Sequence, residues 1–172
     1  MPLSATTYYF KDIHDLITDA FTLYAKDTME NFIDPFWQRA NEWLREIPAS
    51  DVQKPEVQEQ VVERLSTMGA DYILNQLENH REQLHIEYAF LYAALLDERL
   101  HPLAQQYGQR LLANLTELLV FMKAREVELS AKAMLALIRR LEYEALVGMP
   151  GANDKAAIEQ ALRYQMRSIL AY

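Results

Sequence analysis

Apolar residues recur at helical spacing along most of this chain, and proline, glycine and capping residues separate one run from the next. The first clear run follows Asp12, a predicted N-cap, because its carboxylate can accept a hydrogen bond from a free amide of the first turn. The apolar face of this run comprises Ile13, Leu16, Ile17, Ala20, Phe21 and Tyr24. The run reaches Asp34-Pro35, where the proline removes a donor and crowds the preceding turn, so a kink or a restart capped by Asp34 is expected.

Three further segments continue the helical pattern. The apolar face extends over 36–47, and the proline-bounded segment 48–55 is predicted as a loop. An amphipathic helix then runs from Pro55 to about Asn79. Residues 86–100 are almost continuously apolar, which predicts a helix that is buried on most of its sides.

The C-terminal third predicts three more helices. One starts at His101-Pro102, and the next covers 129–147 and stops at Gly148, a natural C′ residue. Asn153 or Asp154 caps the last helix. With a short helix at 2–9, the chain has seven or eight helices and no credible strand, so the predicted fold class is an all-α helical bundle.

Composition narrows the class of protein. The chain has 172 residues, four glycines, six prolines and no cysteine. One domain is the default for this length, and disulfides, thiolate metal sites and a cysteine nucleophile are excluded. No apolar run reaches the roughly 18 residues of a membrane span and no signal peptide opens the chain, so a cytoplasmic protein without membrane association is expected.

The chain is acidic, with a formal net charge of −8 at pH 7. Residues 1–50 carry four lysines and arginines against eight aspartates and glutamates. Autonomous nucleic-acid-binding domains usually present a basic face, because neutralising phosphates supplies much of their affinity. The acidic balance therefore argues against DNA binding by this chain on its own.

The segment Pro-Leu-Ser-Ala-Thr-Thr-Tyr-Tyr-Phe at 2–10 resembles the recognition helix of TetR-family transcriptional regulators. Phe10 matches the junction phenylalanine of that family, and Leu16 matches a leucine of the following helix. Residues 131–148 and the final amphipathic helix are similar to the last two helices of many members of the family. The resemblance implies a helical bundle of the TetR C-terminal regulatory-domain type.

The same resemblance implies two regions. Residues 1–24 correspond to a remnant of the helix-turn-helix DNA-binding domain, and 25–172 to an effector-binding and dimerisation domain. The family has two further helices ahead of the recognition helix, so operator DNA is expected as a partner only if those helices are present. Met1 stands where the family has valine, which suggests a valine codon taken as the start codon.

The resemblance implies four DNA contacts in this segment: Thr6, Tyr8, Tyr9 and Lys11. Their side chains offer hydroxyl or ammonium groups to phosphate oxygens. Such contacts set the register of a protein on DNA rather than its specificity. Thr7 and Ile13 depart from the tyrosine and lysine that the family often has there, which puts two phosphate contacts in doubt. The alternative is that the aromatic residues simply pack the short helix against its neighbour.

Aromatic residues fall in the segments that line the effector cavity of the family. Tyr72, Tyr88 and Tyr92 are the candidate ligand-binding residues, because a buried phenol needs a hydrogen-bond partner that a ligand can supply. The effector is expected to be a small molecule of unknown identity. The alternative is that these tyrosines only fill the core.

A homodimer is expected through the last two helices. The candidate interface residues form stripes at helical spacing and are Ala133, Ala136, Leu137, Ile158, Leu162, Met166 and Ile169. Small residues allow close approach of helices, and the resemblance implies a four-helix dimer interface. An intramolecular core explains the same stripes equally well.

Two Glu-x-x-His pairs, Glu82–His85 and Glu98–His101, have the spacing found in di-iron bundles. On one continuous helix they would lie about 24 Å apart, too far to share a metal ion. No metal site and no cofactor are therefore predicted. Nucleophile motifs, phosphate-binding glycine loops and dinucleotide fingerprints are also missing, so the chain is not predicted to be an enzyme.

The sequence thus favours a TetR-like regulator, a repressor that a small-molecule effector relieves, with the first part of its DNA-binding domain missing. Ligand binding would shift the helix that begins near Asp12. This shift would change the separation of the two DNA-binding domains in a dimer. Two alternatives remain: an all-α protein–protein interaction module that is complete as written, and a ferritin-like metalloprotein.

Overall fold

A computed structural model describes residues 12–170, and this part of the chain is all-α, with no strand. The all-α helical bundle predicted from the sequence is therefore confirmed. The α-helices are α1 (Ile13–Thr28), α2 (Asp34–Leu44), α3 (Pro55–Asn79), α4 (Arg81–Leu96), α5 (His101–Phe121), α6 (Val127–Leu146) and α7 (Lys155–Leu170). The predicted helix at 2–9 and the predicted DNA contacts Thr6, Tyr8, Tyr9 and Lys11 lie outside the described residues. The predicted division between residues 24 and 25 falls within α1, and it stays a prediction.

The helix that follows Asp12 begins as predicted. The Asp12 carboxylate accepts a hydrogen bond from the backbone amide of Asp15 at 3.0 Å, which confirms the N-cap. α1 then passes through a π-helical turn, Met29–Ile33, directly into α2. Asp34 is itself helical and its backbone amide bonds to the carbonyl of Met29, so the prediction that Asp34 caps a new helix is wrong.

Pro35 explains why the helix forms a π-helical turn at this point. A proline inside a helix lacks an N–H, and its ring crowds the carbonyl four residues earlier. A π turn widens the helix by one residue, and such turns occur mostly as single insertions in α-helices. The chain therefore accommodates Pro35 within a continuous helical segment.

The boundaries of the later helices agree closely with the sequence. The loop before Pro55 and the end of α3 at Asn79 are confirmed. Gly148 has a φ of +73° and follows the end of α6, where the amides of Gly148 and Met149 bond back to Ala145 and Glu144. This arrangement is a Schellman motif. Asp154 caps α7 by accepting a bond from the amide of Ala156 at 3.0 Å.

α4 differs from its prediction. The helix ends at Leu96, and residues 98–100 form a separate 3₁₀ turn before α5. Leu95 and Leu96 are 79% and 74% exposed, so the expectation that this segment is buried on most sides is wrong. A continuous apolar run has no preferred face, and only one side of α4 meets the neighbouring helices.

The main core forms where α7 lies antiparallel along α3. Ion pairs join Arg167 to Glu59, Arg163 to Glu63 and Lys155 to Asp71, so positions rise along α3 as they fall along α7. Gly69 stands where the helices are closest, since a Cβ atom there would meet Leu162 Cδ1 at 3.0 Å.

Four of the predicted dimer residues belong to this core. Ile158, Leu162, Met166 and Ile169 are between 1% and 7% exposed within the single chain. Their side chains are therefore not available to a partner, and their assignment to a dimer interface is corrected. The apolar stripe of α7 faces α3 because that contact buries it inside the chain.

A smaller core ties α1 to α4 and α5. The ring of Phe21 stacks on Phe90 and meets Tyr107 edge to face. At the start of α1, Arg99 of the 3₁₀ turn lies 3.9 Å from Asp12, and His14 Nδ1 lies 3.8 Å from Asp97. Hydrogen bonds from Arg99 lower the pKa of Asp97 to about 2.

Across residues 12–170, no helix combines the length and the apolar character that crossing a bilayer requires.

Candidate ligand-binding cavity

The bundle contains a partly open cavity, and all seven described helices contribute side chains to its wall. Its volume is about 130 Å³. A water molecule in the liquid takes up about 30 Å³, so the cavity has room for about four waters or one small organic molecule. The aromatic part of its wall comes from α2 and α3, through Phe36, Trp37 and Tyr72.

Three charged side chains interrupt this apolar wall. Glu87 of α4, Arg139 of α6 and Glu142 of α6 line the cavity, and both carboxylates are almost fully buried, at 2% and 3% exposure. The Arg139 guanidinium donates hydrogen bonds to Glu87 and, from Nη1, to Glu142 Oε2 at 2.9 Å. With both glutamates ionised, this Glu–Arg–Glu cluster carries one net negative charge.

Tyrosines surround the cluster on several sides. The Tyr24 hydroxyl of α1 donates to Glu87 Oε2 at 2.9 Å, and the Tyr88 hydroxyl donates to the backbone carbonyl of Arg139 at 2.7 Å. Tyr107 of α5 also interacts with Glu87. These contacts hold the cluster against four of the seven helices, α1, α4, α5 and α6.

Burial controls the protonation of these groups. It raises the pKa of the Glu142 carboxyl above its ordinary value, although the charge of Arg139 opposes that shift. For Arg139, burial alone lowers the pKa, but the charges of Glu142 and Glu87 outweigh it and keep the pKa well above the usual value. Burial also raises the pKa of Tyr24, Tyr72 and Tyr107, so these phenols stay neutral donors at physiological pH.

Gln76 adds a free donor to the wall. Its side chain is 4% exposed, and its amide nitrogen has no hydrogen-bond partner among the residues described. A buried amide without a partner costs free energy, which a bound molecule with an acceptor atom would recover.

A second hollow lies on the outer side of the same wall. It is a cleft between α3 and the segment from the π-helical turn into α2. Phe36, Tyr72 and Gln76 line both the cleft and the cavity, and the rings of Phe36 and Tyr72 have centroids 5.3 Å apart. These three side chains therefore form the partition between the cavity and the surface.

The three tyrosines predicted as ligand contacts have different positions. Tyr72 lines the cavity, and its contact with a ligand stays a prediction. Tyr88 lies behind it, where its hydroxyl bonds to Arg139. Tyr92 is 65% exposed on the surface of α4, so its assignment to the cavity wall is wrong.

Sequence reasoning missed the charged cluster. Glu87 is a single acid at the start of an otherwise apolar run, and Arg139 and Glu142 are three residues apart in an apolar helix. An acid inside an apolar run was the available signal. The pairing itself joins residues 52 positions apart, which local patterns do not reveal.

Two of the remaining predicted interface residues, Ala133 and Ala136, lie exposed on the outer side of α6, whereas Leu137 is half-buried and packs against the main core. The two alanines belong to an outward stripe at helical spacing, which continues through Leu129, Arg140, Tyr143 and Val147. Tyr164, 75% exposed, stands on the outer side of α7.

The two Glu-x-x-His pairs lie on separate elements, because α4 ends before Glu98. Within 12–170, no group of three or more acidic or histidine side chains is placed to hold a metal ion.

No protein-family model matches the chain, and a comparison with curated proteins also finds no match.

Proposed function

We propose that this chain is the effector-binding and dimerising body of a TetR-like transcriptional regulator, a repressor that a small molecule relieves. The observation that carries the proposal is the cavity inside the bundle with its buried Glu–Arg–Glu cluster. Buried ion pairs contribute little to stability, because desolvation offsets their attraction. Charged groups retained in an apolar cavity are therefore typical of a binding site.

The helix α1 supplies a route from the cavity to the start of the described chain. Tyr24 and Thr28 line the cavity, and Asp12 begins the same helix about 18 Å away at 1.5 Å per residue. A ligand that displaces Tyr24 from Glu87 would shift α1 as a unit. The segment before Asp12 is the one that resembles a recognition helix, so such a shift would reach the DNA-reading part of a regulator.

Dimerisation is proposed through the outward faces of α6 and α7. The α6 stripe is mostly small or apolar, with Ala133 and Ala136 at its centre. On α7, Ala157, Tyr164 and Ser168 face outward on the side opposite the buried stripe. Two such faces can pair with their copies in a four-helix arrangement.

The decisive test of the proposed function is DNA binding. Fluorescence anisotropy would compare two proteins at one fixed salt concentration: this chain, and the chain preceded by the in-frame residues encoded before codon 1. The probe is labelled DNA from the region upstream of the gene, with scrambled DNA as control. The proposal expects specific binding by the longer protein alone, because a recognition helix needs its supporting helix.

Binding by neither protein would overturn the regulator proposal. The second candidate is then a protein–protein interaction module, which the exposed apolar side chains Tyr92, Leu95 and Leu96 of α4 favour.

A further inference from the structure

The cavity wall holds more negative than positive charge. Glu87 and Glu142 face it with two carboxylates, and Arg139 is the only cationic side chain among its described lining residues. Both carboxylates already bind that guanidinium. An anionic ligand would therefore find no unpaired cation and would meet two buried carboxylates.

The excess negative charge needs a counter-charge. Removing an unbalanced charge from water costs several kcal/mol, so the cluster binds either a proton or a cation. A carboxylate offers about four acceptor positions, more than the interactions of Glu142 with Arg139 and Tyr88 use. The cluster can therefore accept hydrogen bonds from a further positively charged donor.

The rest of the wall sets the shape of such a ligand. It is apolar apart from the cluster, a few hydroxyls and the Gln76 amide, and it includes the aromatic rings of Phe36, Trp37 and Tyr72. Aromatic faces attract cations, and apolar walls favour a ligand body without further charges. The volume of about 130 Å³ is close to that of a cavity that holds one benzene ring, roughly 150 Å³, so it suits a small molecule rather than a polymer or a nucleotide.

From this arrangement we infer that the cavity binds a hydrophobic monocation, an apolar body carrying one ammonium group that pairs with Glu142 and Glu87. This inference rests on the proposed effector site and names the chemical class of its ligand. The ammonium replaces the proton as the counter-charge of the cluster. Tyr24, bonded to Glu87, is the neighbour through which this replacement reaches α1.

The experiment uses three molecules of similar shape and different charge, each with one small aromatic ring: benzylammonium, benzyl alcohol and benzoate. Isothermal titration calorimetry measures their binding to the full chain, with the fluorescence of Trp37 and Trp43 as a second readout. We expect the ammonium compound to bind roughly tenfold or more tightly than the alcohol, the size of one charged hydrogen bond. Benzoate should bind most weakly.

The variant that tests the site is Glu142→Gln, which removes the charge and keeps the shape. It should lower affinity for the ammonium compound to that for the alcohol and leave the alcohol unaffected. The matched control is Glu128→Gln on the same helix, since Glu128 is exposed and pairs with Lys132 on the surface. Circular dichroism establishes that each variant is folded, and the three-ligand series on the unchanged chain does not depend on any variant.

The outcomes separate this inference from the proposed site. Equal or tighter binding of the alcohol or the carboxylate overturns the monocation inference and leaves an effector cavity. Failure of all three compounds to bind argues against the effector site itself, and the inference falls with it. An equal loss in the Glu128→Gln control would also contradict the assignment to Glu142.

Discussion

Arg139 is the residue on which the charged cluster depends. It is the one cation between Glu87 and Glu142, and its side chain is 22% exposed, against 3% for each glutamate. An arginine fork can bind two carboxylates at once in fixed geometry, which a lysine cannot do. Its removal leaves two carboxylates buried close together without a counter-charge.

We therefore expect Arg139→Met to lower the free energy of unfolding by about 3–5 kcal/mol, the usual cost of breaking a buried ion pair. Urea unfolding followed by circular dichroism measures this change. Arg110→Met is the matched control, because Arg110 is 56% exposed and pairs with Asp34 on the surface. Its cost should stay below about 1 kcal/mol. Equal losses for both variants would show that the cluster is not the constraint inferred here.

At the scale of helices, α7 has two faces with different roles. The inner face packs on α3 through Ile158, Leu162 and Met166, and three ion pairs fix the antiparallel register. The outer face carries Tyr164 and small residues. The same 3.6-residue period generates both stripes, so periodicity alone does not say which one the chain buries.

Substitution of Ile158 distinguishes these two faces. Ile158→Ala should destabilise the fold by about 2–5 kcal/mol, because it removes buried methyl groups and leaves a cavity. It should leave the oligomeric state of the folded protein unchanged. Ile86→Ala, at a position 52% exposed, is the control and should cost less than about 1 kcal/mol. A change of oligomeric state without loss of stability would contradict this and place Ile158 in a dimer interface.

For the whole molecule, the proposed dimer places the cavity of each subunit beside a shared four-helix interface. α6 contributes to both, because Arg139 and Glu142 face inward while Ala136 and Tyr143 face outward. A ligand that repacks the inner side of α6 can therefore alter the dimer geometry as well as α1.

Sedimentation velocity tests the proposed dimer. Tyr164→Arg should convert dimers to monomers, since it places a charge on the outer face of α7 without touching the core. Gln105→Arg adds the same charge to an exposed position of α5 and should leave the dimer intact. A monomer before any substitution, or dimers that resist Tyr164→Arg, would contradict this interface.

The sequence by itself determined the helical elements of this protein. The caps at Asp12 and Asp154, the stop at Gly148 and the length of α3 all follow from interactions between residues a few positions apart. Such local interactions are encoded in short patterns, so reading them needs no knowledge of the fold. The exception at Asp34 arose because a π turn accommodates the proline without ending the helix.

Only the tertiary structure decided which faces are buried and which charges meet. Glu87 and Arg139 lie 52 residues apart, Tyr92 and Leu95 point outward from an apolar helix, and the stripe of α7 turns toward α3. These outcomes depend on competition among all the apolar faces of the chain for a limited interior. A local pattern records that a face is apolar, whereas the packing of the whole bundle selects its partner.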